Sequence, residues 1–129
     1  RLAMSKSNPE AAIQAIFPEK IKVGNGVEVY PLTLAHYALL EKINSFLVNG
    51  DHEPDSIETV ETYYICTHDA AEVFGDFSNI GAKSMEWSAT LPPYMANLIS
   101  AGIKRQIDLM SKAIPALDDK KKLTGAMAS

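Results

Sequence analysis

The feature that most constrains this chain is a β-hairpin signal near one end of an otherwise helical sequence. Residues 20–23 and 27–30 each alternate polar and apolar side chains, and Gly24-Asn25-Gly26 between them tolerates positive φ angles. A two-stranded hairpin is at best marginally stable alone in water. Its apolar side must therefore lie on the helices or pair with another chain.

Apolar residues recur at helical spacing in about six further segments. The first runs from Pro9 to Phe17, ahead of the hairpin. The second begins at Thr33, its expected N-cap, and continues through Leu47. Three short helices are predicted from Ile57, Asp69 and Ser78 or Asn79, the first two with Asp55 and Asp69 at capping-box spacing. The longest is predicted between Pro92 and Ile114.

These elements predict a mainly α fold, a small helical domain of about six helices with one N-terminal β-hairpin at residues 20–30. A chain of 129 residues is long enough for one domain. We expect that domain to span residues 9–115. Residues 1–8 are expected to be a flexible or expression-derived terminus, and residues 116–129 a flexible tail.

Composition excludes several classes of protein. The formal charge of −4 and the pI of about 5.3 argue against a protein that wraps nucleic acid, which needs a positive surface. The single cysteine, Cys66, rules out an intramolecular disulfide and is expected to be buried and inert. No apolar run approaches the ~20 residues that span a bilayer. We therefore expect a cytoplasmic protein that binds neither membrane nor nucleic acid.

No metal site is predicted. Cys66 and His68 are only two of the four ligands that a structural zinc site needs. Asp51, Glu53 and Asp55 alternate like the start of a calcium-binding loop, but the glycine and the final glutamate of that loop are missing.

No catalytic or cofactor site is predicted either. His68 and Asp69 could form a base and its orienting carboxylate, but no activated nucleophile accompanies them. The Gly24-Asn25-Gly26 turn leads into a strand, so it offers no helix N-terminus to a phosphate. We expect a protein that is not an enzyme and has no cofactor.

Two features are predicted to bind other proteins. The edge of the hairpin can accept a further strand, and the long C-terminal helix carries an apolar stripe that could serve a partner as well as the core. The predicted binding residues are Val27, Val29, Tyr30, Leu98, Ile99, Ile103, Ile107 and Met110.

The run from Lys20 to Leu47 resembles the start of the tail assembly chaperones of long-tailed bacteriophages. The resemblance consists of a short hairpin (Ile21-Lys22-Val23 and Val27-Glu28-Val29-Tyr30), then Pro31-Leu32-Thr33-Leu34, then a leucine-rich helix. It implies a non-enzymatic protein of the bacterial host cytoplasm that binds the phage tape measure protein. It also implies self-association, so that a homo-oligomer is expected. The alternative is a structural virion component, such as a head–tail connector or a tail-completion protein.

The assignment of core faces can be tested by placing a charge on them. Leu39→Asp and Ile103→Asp are expected to unfold the domain, because an unpaired buried charge costs several kcal/mol against a total stability of roughly 5–15 kcal/mol. Circular dichroism during thermal unfolding measures the effect. Soluble variants that still unfold cooperatively would show that the faces are wrongly assigned.

Overall fold

The computed structural model describes residues 19–113, which begin with the hairpin. Strands β1 (Ile21–Gly24) and β2 (Val27–Val29) form a two-stranded antiparallel sheet. Five α-helices follow the sheet within these residues: α1 (Leu34–Lys42), α2 (Ser56–Cys66), α3 (Ala70–Gly75), α4 (Ile80–Ser88) and α5 (Met95–Ala113). A 3₁₀ turn, Phe77–Asn79, lies directly before α4. The mainly α fold with a hairpin on its N-terminal side is confirmed. The helix predicted at 9–17 and the tail from residue 116 lie outside the described residues.

The hairpin turns at the residues that the sequence indicates. Asn25 and Gly26 hold the two corner positions with φ angles of 53° and 75°, which is the pair of positive φ angles of a type I′ turn. Ile21 pairs with Val29 across the strands. Side chains alternate between the two faces of a strand, so Val27 and Val29 share one face, and both are buried.

The buried face of the hairpin lies on α5 at a point where α5 has no side chain. A Cβ atom built on Gly102 would stand 2.8 Å from Val29 Cγ2 and 2.9 Å from Val23 Cγ1. Strand and helix backbones therefore approach more closely than any larger residue would allow. One turn further along α5, the buried Gln106 donates from Nε2 to the carbonyl oxygens of Glu19 at 2.8 Å and Val29 at 2.9 Å.

A second hydrogen bond joins the hairpin to α2. The Tyr30 N–H, just after β2, donates to the Cys66 carbonyl oxygen at 2.9 Å. Carbonyl groups in the last turn of a helix have no partner within that helix. The hairpin therefore satisfies one of them, and its end is fixed to the middle of the helical bundle.

Three N-caps that the sequence predicts within residues 19–113 are present. Thr33, Asp55 and Asp69 each accept a hydrogen bond from the backbone N–H three residues further on, at 3.2, 2.8 and 3.1 Å. Such a bond satisfies an N–H group that the first helical turn leaves free. The starts of α1, α2 and α3 are thus set by local sequence.

The second predicted helix is shorter than expected, because α1 ends at Lys42. Asn44 adopts a left-handed conformation with φ of 53°. Its N–H donates to the Glu41 carbonyl, and the Ser45 N–H donates to the Leu40 carbonyl, both at 2.9 Å. This bonding pattern is the Schellman motif, with asparagine in the position that usually holds glycine. The apolar residues that follow belong to a turn that packs on α2.

The spacing of Ile57, Val60 and Tyr64 predicts a buried stripe on α2, but the most buried face is a different one. Ile57 is 55 % exposed, whereas Thr62, Ile65 and Cys66 are fully buried. Thr62 Oγ1 lies 2.7 Å from Oγ of Ser45, which is also buried. A buried threonine that is satisfied by a serine leaves no apolar signal in the sequence, and this explains the error.

Replacement of Gly102 by alanine tests the contact between hairpin and α5. Alanine normally stabilises a helix relative to glycine by roughly 0.5–1 kcal/mol, but here the new methyl group meets two valine side chains. We expect Gly102→Ala to destabilise the domain by about 1–3 kcal/mol, measured by urea unfolding.

Gly81→Ala is the matched control, because the nearest atom to its new Cβ would be Glu61 Oε2 at 3.7 Å. We expect this variant to be neutral or more stable by up to about 1 kcal/mol. A Gly102→Ala protein as stable as Gly81→Ala would contradict the close packing of hairpin and helix.

Candidate protein-binding surface

Four of the residues predicted to bind a partner lie in the core of the chain itself. Val27 and Val29 of β2 and Ile99 and Ile103 of α5 are each at most 6 % exposed. They pack in one buried cluster. A partner cannot reach them in the folded chain, and their apolar character is explained by the contact of the hairpin with α5.

The other four residues do not form one surface. Leu98 and Ile107 are 42 % and 43 % exposed, but an α-helix turns about 100° per residue, which places them about 180° apart around α5. Met110 and Tyr30 are half-buried. The structure therefore does not bring the predicted binding residues together.

An exposed apolar side chain instead borders a groove between α1 and α3. Phe74, in the last turn of α3, is 68 % exposed and lines this groove, whereas Leu34, at the start of α1, is 88 % exposed but does not line it. The groove between the two helices has a volume of about 270 Å³. We call it the alanine groove, and its lining consists of Ala35, Ala38, Leu39, Lys42, Ala70, Ala71 and Phe74.

The alanine groove continues into a wider hollow beside the hairpin. This hollow of about 710 Å³ shares Ala35, Ala70 and Ala71 with the groove. Its hairpin side carries charges of both signs, among them Lys22 and Glu28. The combined surface thus has an apolar half, next to Phe74, and a charged half, next to the hairpin.

The periodicity of α1 and α3 places three of the groove alanines, Ala35, Ala38 and Ala71, outward, whereas Ala70 is buried. α1 buries His36, Leu39 and Leu40, and α3 buries Ala70 and Val73. Since side chains repeat every 3.6 residues, the intervening positions of both helices face away from the core. Alanines at several of those positions allow another backbone to come close to both helices. The sequence signal for this surface is weak, because alanine suits cores and surfaces alike.

His36 forms the buried floor where the hollow meets α1. Its exposed fraction is only 2 %. Nδ1 accepts from the Thr33 N–H at 3.1 Å, and Nε2 donates to the His68 carbonyl oxygen at 2.9 Å. Burial lowers the pKa of His36, against smaller opposing effects of the His68 carbonyl and Asp69. The neutral ring therefore ties the start of α1 to the loop before α3.

The residues considered as chemical sites have structural roles. Cys66 is fully buried, and burial raises the pKa of its thiol to about 12. His68 Nδ1 donates to the Tyr64 carbonyl oxygen at 2.7 Å, and its ring stands edge-on to Trp87 with centroids 5.4 Å apart. Asp69 caps α3. This histidine and aspartate therefore bond to different groups and do not form a catalytic pair.

In the acidic loop before α2, His52 contacts two carboxylates, one in the loop and one in the first turn of α2. His52 lies 2.9 Å from Asp51 through Nδ1 and 2.9 Å from Glu58 through Nε2. Hydrogen bonds to Asp51 and Glu58 raise the pKa of His52. Glu58 also accepts from the Phe46 N–H at 2.7 Å, so this cluster holds the turn after α1 against α2.

Two absences hold for the described part of the chain. Between residues 19 and 113, no group of three or more histidine, cysteine, aspartate or glutamate side chains is arranged to hold a metal ion. Over the same range, no helix has both the length and the apolar character needed to cross a membrane.

Comparisons with known proteins add no relative. A scan against protein-family models and searches of curated proteins and of solved structures found no match.

The pH dependence of stability tests the burial of His36. Because its pKa is lowered in the folded state, the unfolded chain binds the proton more readily. The stability contributed by the neutral ring is then complete above the unfolded pKa of about 6.5 and is lost as the pH falls through the lower folded pKa. We expect His36→Gln to reduce the loss of stability between about pH 7 and pH 5, measured by urea unfolding.

His52→Gln is the control, because His52 should change the pH dependence of stability in the opposite direction to His36. The pKa of His52 is raised, so its contribution is complete below about pH 6.5 and is lost as the pH rises through the folded pKa. In this variant, we expect the free energy of unfolding to fall less than in the parent as the pH rises above about 6.5, with no change in the loss of stability at acid pH. A His36→Gln protein with the same slope as the parent on the acid side would contradict a buried neutral His36.

Proposed function

We propose that this chain is a non-enzymatic tail assembly chaperone of a long-tailed phage or prophage, and that it binds the tape measure protein through the alanine groove. The observation that carries the proposal is the large apolar side chain of Phe74, which is 68 % exposed at the edge of a groove lined by alanines. Aromatic side chains of this kind are enriched in protein–protein interfaces.

The groove suits an amphipathic helix as its occupant. Small floor residues let a helix backbone approach, and an apolar stripe of such a helix could cover Phe74 and the alanines. Lys22 and Glu28 at the charged end would then meet the polar residues of the same helix. Charged groups at one end of a groove fix the orientation of the bound segment more than they raise its affinity.

The family resemblance supplies the identity of the client. The residues that carry the resemblance form β1, β2 and α1, and α1 provides Ala35 and Ala38 to the groove. A tape measure protein is long, so several chaperone copies would be needed to cover it. Self-association would strengthen the binding of several weak sites on one client. Binding in the host cytoplasm, before the tail is complete, belongs to the same proposal.

The alternative function, a structural virion component, makes a different prediction for the mature particle. A chaperone leaves the tail when assembly is complete, whereas a connector or tail-completion protein stays. Mass spectrometry of purified phage particles separates the two functions, and detection of this chain at stoichiometric amounts would contradict the chaperone proposal.

Substitutions in the alanine groove test the binding surface directly. Ala35→Glu and Phe74→Lys place a charge on each of the two helices that line the groove. Both sites are exposed, and each charge has the sign that its end of the helix favours, so the fold should be retained. We expect each variant to weaken binding to the co-expressed tape measure protein at least roughly tenfold, measured by affinity pull-down followed by titration.

Ile57→Glu is the matched control, since Ile57 is 55 % exposed at the start of α2 and outside the groove. It should bind like the parent chain. Equal binding by the two groove variants and the control would contradict the assignment of the groove. Failure of the parent chain to bind the tape measure protein at all would contradict the proposed client.

A further inference from the structure

A second apolar groove lies between α2, the loop after α4 and the start of α5. Its volume is about 410 Å³, which is within the range of protein clefts that bind apolar groups. Tyr63, Trp87 and Leu91 are half-buried against the core and also line this groove. We call it the proline groove, because its lining includes Pro54, Pro92 and Pro93.

The helix α5 presents an exposed apolar side chain on the same side as the proline groove. Ala96 of α5 lines the groove, and Ile107, eleven residues further on, is 43 % exposed. Eleven residues make about three helical turns, so the two side chains point in directions only about 20° apart. Ile107 therefore lies about 16 Å further along α5, on the side of the helix that faces the groove.

An apolar groove and an exposed isoleucine on one side of one helix are the two halves of a symmetric contact. In a two-fold symmetric dimer the same surface patch of both chains is used, so that patch must complement itself. If the two α5 helices pack antiparallel, Ile107 of each copy meets Ala96 and the proline groove of the other. Ser100 lies on the same side of α5 between these two positions. Its small side chain allows the two helices to come close together.

The charges of the two surfaces are opposite. Asp55 is the only charged residue that lines the proline groove within the described part of the chain. Lys104 and Arg105 line one shallow hollow with Ile107, and both are exposed. Neither forms an ion pair within residues 19–113, and Asp108 of the same hollow is paired with a lysine of α5. Opposite charges across an interface guide association and fix its register.

We propose that two copies of this chain form a two-fold symmetric dimer in which the α5 helices pack antiparallel and Ile107 of each copy occupies the proline groove of the other. Lys104, one turn before Ile107, then brings its positive charge toward the groove that contains Asp55. The alanine groove stays free, because it lies on α1 and α3. The inference does not rest on the proposed function, since the dimer forms without a client.

Ile107→Glu tests the dimer in the full-length chain. A carboxylate at this position would enter an apolar groove that already contains Asp55. We expect the parent chain to dimerise and the variant to raise the Kd of the dimer at least roughly tenfold, measured by sedimentation equilibrium. Glutamate is a good helix former, so α5 should be retained, and circular dichroism checks this.

Leu98→Glu is the matched control on the same helix. Leu98 is 42 % exposed but lies about 180° around α5 from Ile107. We expect its Kd to stay within about twofold of the parent value. An equal effect of the two substitutions would overturn the proposal. A parent chain that is monomeric at roughly 100 µM, where a dimer of micromolar Kd is mostly associated, would also overturn it.

Disulfide trapping between two variants tests the antiparallel arrangement. Chains with Ala96→Cys are mixed with chains with Ile107→Cys, and the native Cys66 does not compete because it is fully buried. The two positions face each other in the proposed dimer, whereas like positions lie about 16 Å apart, beyond the ~4–7 Å Cα separation of a disulfide. We expect the mixed disulfide to form at least roughly tenfold faster than either like pair, measured by non-reducing electrophoresis and mass spectrometry. No preference for the mixed pair would overturn the proposal.

Discussion

The contact of the hairpin with α5 is the interaction on which the rest of the structure depends. A two-stranded sheet cannot hold its shape alone, and here Gly102 removes the side chain that would keep strand and helix apart. Gln106 then fixes the register by bonding to Val29 and Glu19. The core of the domain forms where these backbones meet, because Val29 and Ile103 are buried at the same contact.

The position of the candidate surface follows from that contact. The Tyr30 N–H, at the end of the fixed hairpin, donates to the Cys66 carbonyl oxygen and so joins the hairpin to the last turn of α2. His36 then joins the start of α1 to the His68 carbonyl, just before α3. The two helices that flank the alanine groove are therefore held by buried hydrogen bonds, while the groove between them faces outward. A rigid frame with an open apolar groove needs little reorganisation to bind a helix.

Local sequence patterns predict much of the fold, whereas the candidate surface depends on how the helices pack. The turn at Asn25 and the caps such as Thr33 could be predicted because each uses only a few adjacent residues. The buried face of α2 could not, since the Ser45–Thr62 hydrogen bond replaces an apolar contact by a polar one. Ile99 and Ile103 of α5 are predicted to bind a partner but are buried in the core of the chain. Hydrophobic periodicity shows that a helix face is apolar, but it does not show which element covers that face. Phe74 lies in the short helix that the sequence predicts from Asp69, but nothing local indicates that its side chain is exposed.

The hydrogen bonds of Gln106 join residues that are 77 and 87 positions apart in the chain. During synthesis the hairpin leaves the ribosome long before α5 exists, so its valines have no helix to lie on. Contacts of such large sequence separation form late and slow the folding of small domains. The nascent chain therefore exposes an uncovered strand edge until nearly the last helix has been made. A protein that we propose to protect another chain from aggregation thus passes through a vulnerable period of its own.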